Sequence, residues 1–329
     1  MTNIFLSVII PTYNRSHYLI KILKILRCNL INFNRFEVII IDSFSKDSTN
    51  QKIKYFKNSN KLLNINYLNC TENIHSIKRN LGIKNAKGKH IILLDDDCFP
   101  EKDFLKNYYN IFLNENENKN KNIYCGSVLY PKNLTRNNFL KYRASKHFII
   151  DKKEKISNKN LEASKIVTMN MGFKKSYEII KTNFFNEKFN IYGFEDYEFA
   201  HRLLKNNFKI KACSPLVFHN DSRSFQKYLN KIRFLGFEGM RYLIKINLKA
   251  AKNNNFYKLE NFFLMPFFLK LSSFRFILCF FTKVSILLEK YFFYSPWVYK
   301  TGIACSYLIG FADRKFILNK NFNNKNWYK

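Results

Sequence analysis

Three short apolar runs in the first hundred residues each stop abruptly at a cluster of polar and acidic side chains. IFLSVII (4–10) runs into PTYNR, FEVIIID (36–42) into SFSKDST, and HIILLD (90–95) into two further aspartates. Apolar runs of about four to eight residues bounded by turn-forming residues suit strands buried on both faces. LNINYL (63–68) and NIYCGSVLY (122–130) continue the series. Between the runs lie helical patterns. Tyr18–Leu26 places Leu19, Ile22, Leu23 and Leu26 on one face, and residues 73–86 form another, ended by Lys87-Gly88. Buried strands alternating with helices predict an α/β fold with a mostly parallel sheet covered on both faces. Ligands bind such sheets at the carboxyl ends of the strands, so the functional residues are expected directly after each run.

Composition sets the outer limits. The 329 residues are 47% hydrophobic with only 9 glycines and 6 prolines, which excludes a disordered or collagen-like chain. Lys+Arg number 56 and Asp+Glu 24, a net charge of +32 that suits a polyanionic partner or an anionic membrane face. Lys, Asn, Ile and Phe are over-used together, as an A+T-rich coding sequence would produce, and the positive charge is scattered with no basic arm. Seven cysteines without a CxxC pair argue against a disulfide framework or a zinc knuckle and fit a reducing, cytoplasmic compartment. The amino terminus has no basic segment ahead of its seven-residue apolar run, so it is expected to be a first strand rather than a signal peptide.

The triple aspartate 95–97 follows a buried strand, where uncompensated carboxylates are costly. A hard divalent cation, Mg²⁺ or Mn²⁺, relieves that cost. Strand alternation would aim Asp95 and Asp97 at one ligand and Asp96 elsewhere. The bland alternative is a solvated acidic turn ahead of Pro100-Glu101. Glu195-Asp196 opens the helical stretch EDYEFAHRLLKNN; simple complementarity with the helix dipole explains it, as does a general base at a cleft wall. His219 ends the strand-like PLVF and offers a neutral imidazole to a cation at Asp97.

Together, SVIIPTYNR, IIIDSFSKDST, SIKRNLGIKNAKGKHIILLDDDCFP and NIYGFEDYEFAHRLLKNNFKI resemble a family 2 glycosyltransferase of the GT-A fold, over residues 4–221, roughly two thirds of the chain. The later part is similar to galactosyltransferase and chondroitin-polymerase-like catalytic domains, which carry Trp-Gly-x-Glu-Asp and a following metal-ligand histidine. The resemblance implies that Pro11 and Tyr13 line a nucleobase pocket, that Asp42 binds base or ribose, and that Arg79 lies against the nucleotide. It puts Asp95 and Asp96 with the donor, and Asp97, Asp95 and His219 around Mn²⁺ or Mg²⁺. Glu195 and Tyr192 would bind the acceptor, and Asp196 would be the base of an inverting single displacement. The implied donor is a nucleotide sugar, a UDP-sugar first. The implied acceptor is a saccharide or lipid-linked saccharide, in the making of a surface polysaccharide or glycan. Ser43, Phe44 and Tyr192 depart from the usual Asp, Gly and Trp of the motifs.

Past about residue 225 the pattern changes to aromatic-rich apolar stretches. Residues 262–288 are long enough to span a bilayer, but Lys270, Arg275 and Lys283 interrupt them and Pro266 stands near their start. Phe and Tyr beside Lys and Arg suit an interfacial helix on an anionic leaflet. The expected organisation is a catalytic domain over 1–224 and a helical, membrane-associating region over 225–329. The expected location is peripheral, on the cytoplasmic face of the cell membrane. Two rivals are a catalytically silent subunit of an assembly complex, which predicts loss of Asp97, Asp196 or His219, and a nucleic-acid-binding protein, for which no module is found.

Overall fold

The computed structural model describes residues 4–316 apart from 32, 115–120, 134–136, 177–183, 192, 222, 263–264, 270 and 292–293. The chain divides into two compact units. The first comprises Met1–Pro131, Lys146–Glu187 and Glu195–Asp221; the second comprises Lys132–Ser145, Lys188–Phe194 and Ser222–Lys329.

In chain order the elements are β1 (Leu6–Thr12), α1 (Ser16–Asn29), β2 (Phe36–Asp42), α2 (Thr49–Ser59), β3 (Ile65–Asn69), α3 (His75–Asn85), β4 (His90–Leu94), β5 (Cys98–Pro100), α4 (Phe104–Leu113) and β6 (Asn122–Leu129). They continue with α5 (Asn138–Ala144, in the second unit), β7 (Ile156–Asn160), β8 (Asn170–Lys174), α6 (Glu195–Lys205) and β9 (Lys209–His219). The strands form one sheet in the order β3-β2-β1-β4-β8-β6-β9-β5, with β7 paired to β9. β3, β2, β1 and β4 are mutually parallel, in keeping with the unbroken apolar runs of β1, β2 and β4. All seven residues of β1 and of β2 are buried, so both faces of this half are covered.

The other half is mixed. β8 enters antiparallel to β4, pairing Leu94 with Asn170. β9 runs parallel to β6 and antiparallel to β5. Reversal has a functional consequence. The carboxyl edge of the parallel half also receives the amino-terminal end of β8, the carboxyl end of β9 and the amino-terminal end of β5. Chain segments far apart in sequence therefore meet on one edge.

The second unit is helical: α5, α7 (Phe225–Phe234), a π-helical turn (Leu235–Gly239), α8 (Met240–Ile246), α9 (Leu248–Asn253), α10 (Asn255–Glu260), α11 (Met265–Phe268), α12 (Ser272–Tyr291) and α13 (Pro296–Phe316). Backbones approach closely where the π turn and the end of α7 cross α13. A Cβ on Gly236 would lie 2.1 Å from the Tyr307 carbonyl oxygen, and one on Gly310 1.8 Å from that of Arg233, so only glycine fits at either position. At the same crossing Asp313 receives Arg233 Nε at 2.9 Å and also binds Arg275 of α12. The apolar stretch read from the sequence as 262–288 is divided between α11 and α12. No helix among the described residues is long and apolar enough to cross a membrane.

Candidate active site

β4 ends at Leu94, one residue earlier than the apolar run suggests, and Asp95–Cys98 form a turn in which the Cys98 amide donates to the Asp95 carbonyl at 3.1 Å. Strand alternation therefore does not govern the three aspartates, and the turn sends each to a different partner. Asp95 accepts from Arg79 Nη2 at 3.1 Å. Asp96 accepts from the Thr12 hydroxyl at 2.8 Å and faces Arg15 at 3.5 Å. Asp97 accepts from Arg15 Nη1 at 2.8 Å, and its second oxygen lies 3.5 Å from His219 Nε2 and 3.7 Å from Cys98 Sγ.

Arg79 is 3% exposed, and it joins the triple aspartate to the Glu-Asp pair. Its Nη1 donates to Asp196 Oδ1 at 2.9 Å while Nη2 holds Asp95. Burial works against its charge, and the Asp196 and Asp95 carboxylates more than offset this, so it holds its proton more tightly than usual. The Thr168 hydroxyl donates to the other Asp196 oxygen at 2.7 Å. Asp196 stands in the first turn of α6, where the helix dipole favours an anion, and its side chain is still 35% exposed. Glu195 beside it is buried, and its charge is felt by Arg79.

Burial raises the Asp95 carboxyl above the usual range against the pull of Arg79, with Asp97 and Asp196 adding to the rise. Burial pushes Asp96 up to about 7; Arg15 opposes this and Asp97 reinforces it. Lys78 is buried behind the cluster, donating to the Thr12 carbonyl at 3.2 Å and to Asn73 Oδ1 at 2.8 Å. Burial lowers its ammonium to about 8, although Asp96 favours the charge.

The turn after β2 is organised by its acids. Asp42 is buried and accepts from the Ser45 amide at 3.1 Å, the Ser45 hydroxyl at 2.5 Å and the Tyr67 hydroxyl at 2.5 Å. Asp47 accepts from the Ser16 amide at 3.1 Å and the Thr49 amide at 3.0 Å, so one carboxylate serves the first turns of both α1 and α2. Pro11 is buried within β1, paired with Ile41, and Tyr13 is half-buried just beyond it. Tyr192 lies outside the described residues.

Asp97, Cys98 and His219 offer one carboxylate oxygen, one thiol and one imidazole nitrogen, all within 4.8 Å of one another. That donor set fits a divalent cation. Asp95, expected with Asp97 at the cation, binds Arg79 through Oδ1. Thr12, Arg15, Lys78, Cys98 and Thr168 were not anticipated as contributors. Thr12 and Arg15 stand in PTYNR and Lys78 adjoins Arg79, so the motifs pointed at their neighbourhood. Thr168 carried no signal, because nothing in its sequence reveals that β8 runs antiparallel.

Residues 7–180, just over half of the chain, match glycosyl transferase family 2, and residues 151–223 match the N-terminal domain of galactosyltransferase. The chain is 26% identical to chondroitin synthase of Escherichia coli over 250 residues, 66% of this chain and 34% of that protein. It is 31% identical over 100 residues to the poly(ribitol-phosphate) β-N-acetylglucosaminyltransferase TarS of Staphylococcus aureus, 30% of this chain and 17% of TarS. The matched parts thus span about a third or less of these relatives' own lengths. Among solved structures, the fold is similar to the Pyrobaculum calidifontis mannosyltransferase in complex with GDP-Man and Mn²⁺ (TM-score 0.61, 16% identity, 96% of this chain and 88% of that one). It is similar also to S. aureus TarS in complex with UDP-GlcNAc (TM-score 0.53, 15% identity, 95% and 92%). The chain belongs to glycosyl transferase family 2 and has the GT-A fold.

Proposed function

We propose that this family 2 glycosyltransferase moves a sugar from a nucleotide-sugar donor, a UDP-sugar first, to a hydroxyl of a saccharide or lipid-linked saccharide, with inversion at the anomeric carbon. The observation that carries the reading is Arg79, whose single guanidinium ties Asp95 of the triple aspartate to Asp196 at the start of α6. A donor-side acid and a base-side acid are thereby set at one fixed spacing. Similarity to chondroitin synthase and to TarS, whose structure holds UDP-GlcNAc, supports this class of donor and a polysaccharide product.

In this reading Asp196 accepts the proton of the attacking acceptor hydroxyl. Arg79 and Thr168 occupy one lone pair on each of its oxygens and so fix the carboxylate plane, leaving the exposed lone pairs for the acceptor. Such fixing counts because a carboxylate free to rotate gives up part of the advantage of a pre-set attack geometry. Asp97 and His219 would hold Mn²⁺ or Mg²⁺, which when bound neutralises charge developing on the departing nucleoside diphosphate. Mn²⁺ in the similar mannosyltransferase supports that assignment. Arg15, bound to Asp97 and partly exposed, is assigned to a phosphate oxygen of the donor. Pro11, Tyr13 and Asp42 are assigned to the nucleoside, and Glu195 and Tyr192 to the acceptor.

The second unit is assigned to an anionic membrane surface on the cytoplasmic side. On α12, Phe276 is 75% exposed, and Phe280, Phe281 and Leu287 are exposed along with Lys283 and Lys290. On α13, Trp297 is 73% exposed, with Lys300 Nζ 4.7 Å from its ring centroid. Large aromatics and lysines together on solvent-facing helix surfaces suit the interface of an anionic bilayer.

The test is a thermal-shift screen of the full chain against nucleoside diphosphates and nucleotide sugars with and without Mn²⁺, followed by product analysis with the donor it identifies. Stabilisation by one nucleotide that requires Mn²⁺ is expected. A folded protein that no nucleotide stabilises would contradict the reading and favour a silent assembly subunit.

A further inference from the structure

Cys98 is fully buried at the amino-terminal end of β5 and stands directly opposite His219 of β9 in an antiparallel pair. Residues opposite one another on neighbouring strands project their side chains to the same face. Asp97 joins them because it belongs to the turn rather than to the strand. The Asn220 amide, donating to the Asp97 carbonyl at 2.9 Å, pins that turn to the end of β9. The Tyr130 ring packs 5.1 Å from the His219 ring, which limits how the imidazole can rotate.

The separations have a chemical meaning. A cation with bonds of about 2.0–2.3 Å to tetrahedrally arranged N, O and S donors holds those donors roughly 3.3–3.7 Å apart. Asp97 Oδ1 lies 3.5 Å from His219 Nε2 and 3.7 Å from Cys98 Sγ. Mg²⁺ demands six hard oxygens in near-octahedral array, whereas a carboxylate, an imidazole and a thiolate together suit borderline and soft ions.

We propose that Cys98 is a ligand of the divalent-cation centre, binding through its thiolate and giving the site a preference for Co²⁺, Zn²⁺ and Cd²⁺ over Mg²⁺. The inference rests on the assignment of Asp97 and His219 to that cation. On binding, the S–H bond breaks, a metal–sulfur bond forms and the proton passes to solvent; no oxidant or reductant takes part.

Titration of the full chain with Co²⁺, followed by absorption spectroscopy, tests this without turnover. Wild-type protein is expected to develop a near-ultraviolet sulfur-to-cobalt charge-transfer band together with the visible ligand-field bands. Cys98→Ser is expected to lose the charge-transfer band and keep the ligand-field bands, with Cd²⁺ affinity reduced about tenfold or more and Mg²⁺ affinity unchanged. Should Cys98→Ser fail to fold, Cys98→Ala, which keeps the other six cysteines, is expected to lose the same band. Ligand-field bands without a sulfur band in wild type, or a sulfur band that survives in Cys98→Ser or Cys98→Ala, would overturn the role of Cys98 and leave Asp97 and His219 as cation ligands. Co²⁺ uptake indifferent to Asp97→Ala would overturn both assignments at once.

Discussion

Arg79 and Asp196 are separated by 117 positions in the chain, and their side chains meet at 2.9 Å. The guanidinium is almost wholly buried and reaches Asp95 with its other terminal nitrogen. It therefore carries both structural and positional weight. Arg79→Met leaves two carboxylates facing one another without a cation, and removing one partner of a buried ion pair costs about 3–5 kcal/mol. A loss of that size in urea unfolding is expected. Arg79→Lys keeps a charge but cannot fork to two carboxylates. It is expected to lose much less stability than Arg79→Met and still to lower kcat; equal stability losses for the two variants would show that the fork, rather than the charge, holds the pair.

Thr168 offers a finer test of the base. Its hydroxyl donates to Asp196 at 2.7 Å, and a hydrogen bond to a charged group contributes about 1.5–3 kcal/mol. If the bond serves to aim the carboxylate, Thr168→Val lowers kcat about 10- to 100-fold with the donor KM unchanged. Asp196→Asn, which cannot take a proton, is expected to fall further, by about 10²–10⁴-fold, again with donor binding intact. A rise confined to KM in either variant would place Asp196 in donor binding instead.

The extent to which this site was legible in the sequence follows from strand direction. Asp42, Asp95, Asp96 and Asp97 terminate or follow parallel strands whose apolar runs announce them, the helical stretch that opens at Glu195-Asp196 marked Asp196, and the family resemblance singled out Arg79. What the pattern could not supply was the reversal of β8 and β5. A five-residue strand such as Asn170–Lys174 reads the same in either direction, so Thr168 gave no sign that it would face Asp196. Cys98 was hidden for a related reason. Its neighbour across the sheet is His219, 121 residues later, and a pairing of that range leaves no periodic trace. The length of β4 mattered as well. An apolar run shows where a strand can be buried but not the residue at which a turn begins, and the end of β4 at Leu94 rather than at Asp95 decides which way all three aspartates point.

Asp96 predicts how the metal-free protein responds to pH. Burial pushes its carboxyl up to about 7, while an unfolded aspartate titrates near about 3.9. Between those values the folded protein holds a proton that the unfolded chain has released, so this group's contribution to stability falls as pH rises through the window and stays low above it. Asp96→Asn is neutral at every pH and can still accept from Thr12. In a chelating buffer the variant and the wild type are expected to be similarly stable near pH 4. The variant should then gain an advantage on the order of a few kcal/mol by pH 8. Denaturant melts at four pH values across the range measure it, and a gap that does not widen with pH would show that Asp96 is ionised throughout.

On α12 the exposed residues separate membrane attachment from packing. Phe276 and Phe280 are one helical turn apart and exposed, so their replacement removes little that the folded chain buries. Surface substitutions of this kind change stability by about 0.5 kcal/mol or less. A bilayer interface, by contrast, rewards apolar rings and each nearby lysine by about 1 kcal/mol. The double variant Phe276→Glu, Phe280→Glu is therefore expected to keep its melting temperature and its nucleotide response. It should bind vesicles containing anionic lipid at least about tenfold more weakly in co-sedimentation, since both lost burial and charge repulsion act in one direction. Neutral vesicles provide the control, because the lysines contribute nothing there and the rings alone must hold the protein. Unchanged sedimentation of the variant with anionic vesicles would remove α12 from the interface, and unchanged sedimentation with neutral vesicles alone would assign attachment to the lysines.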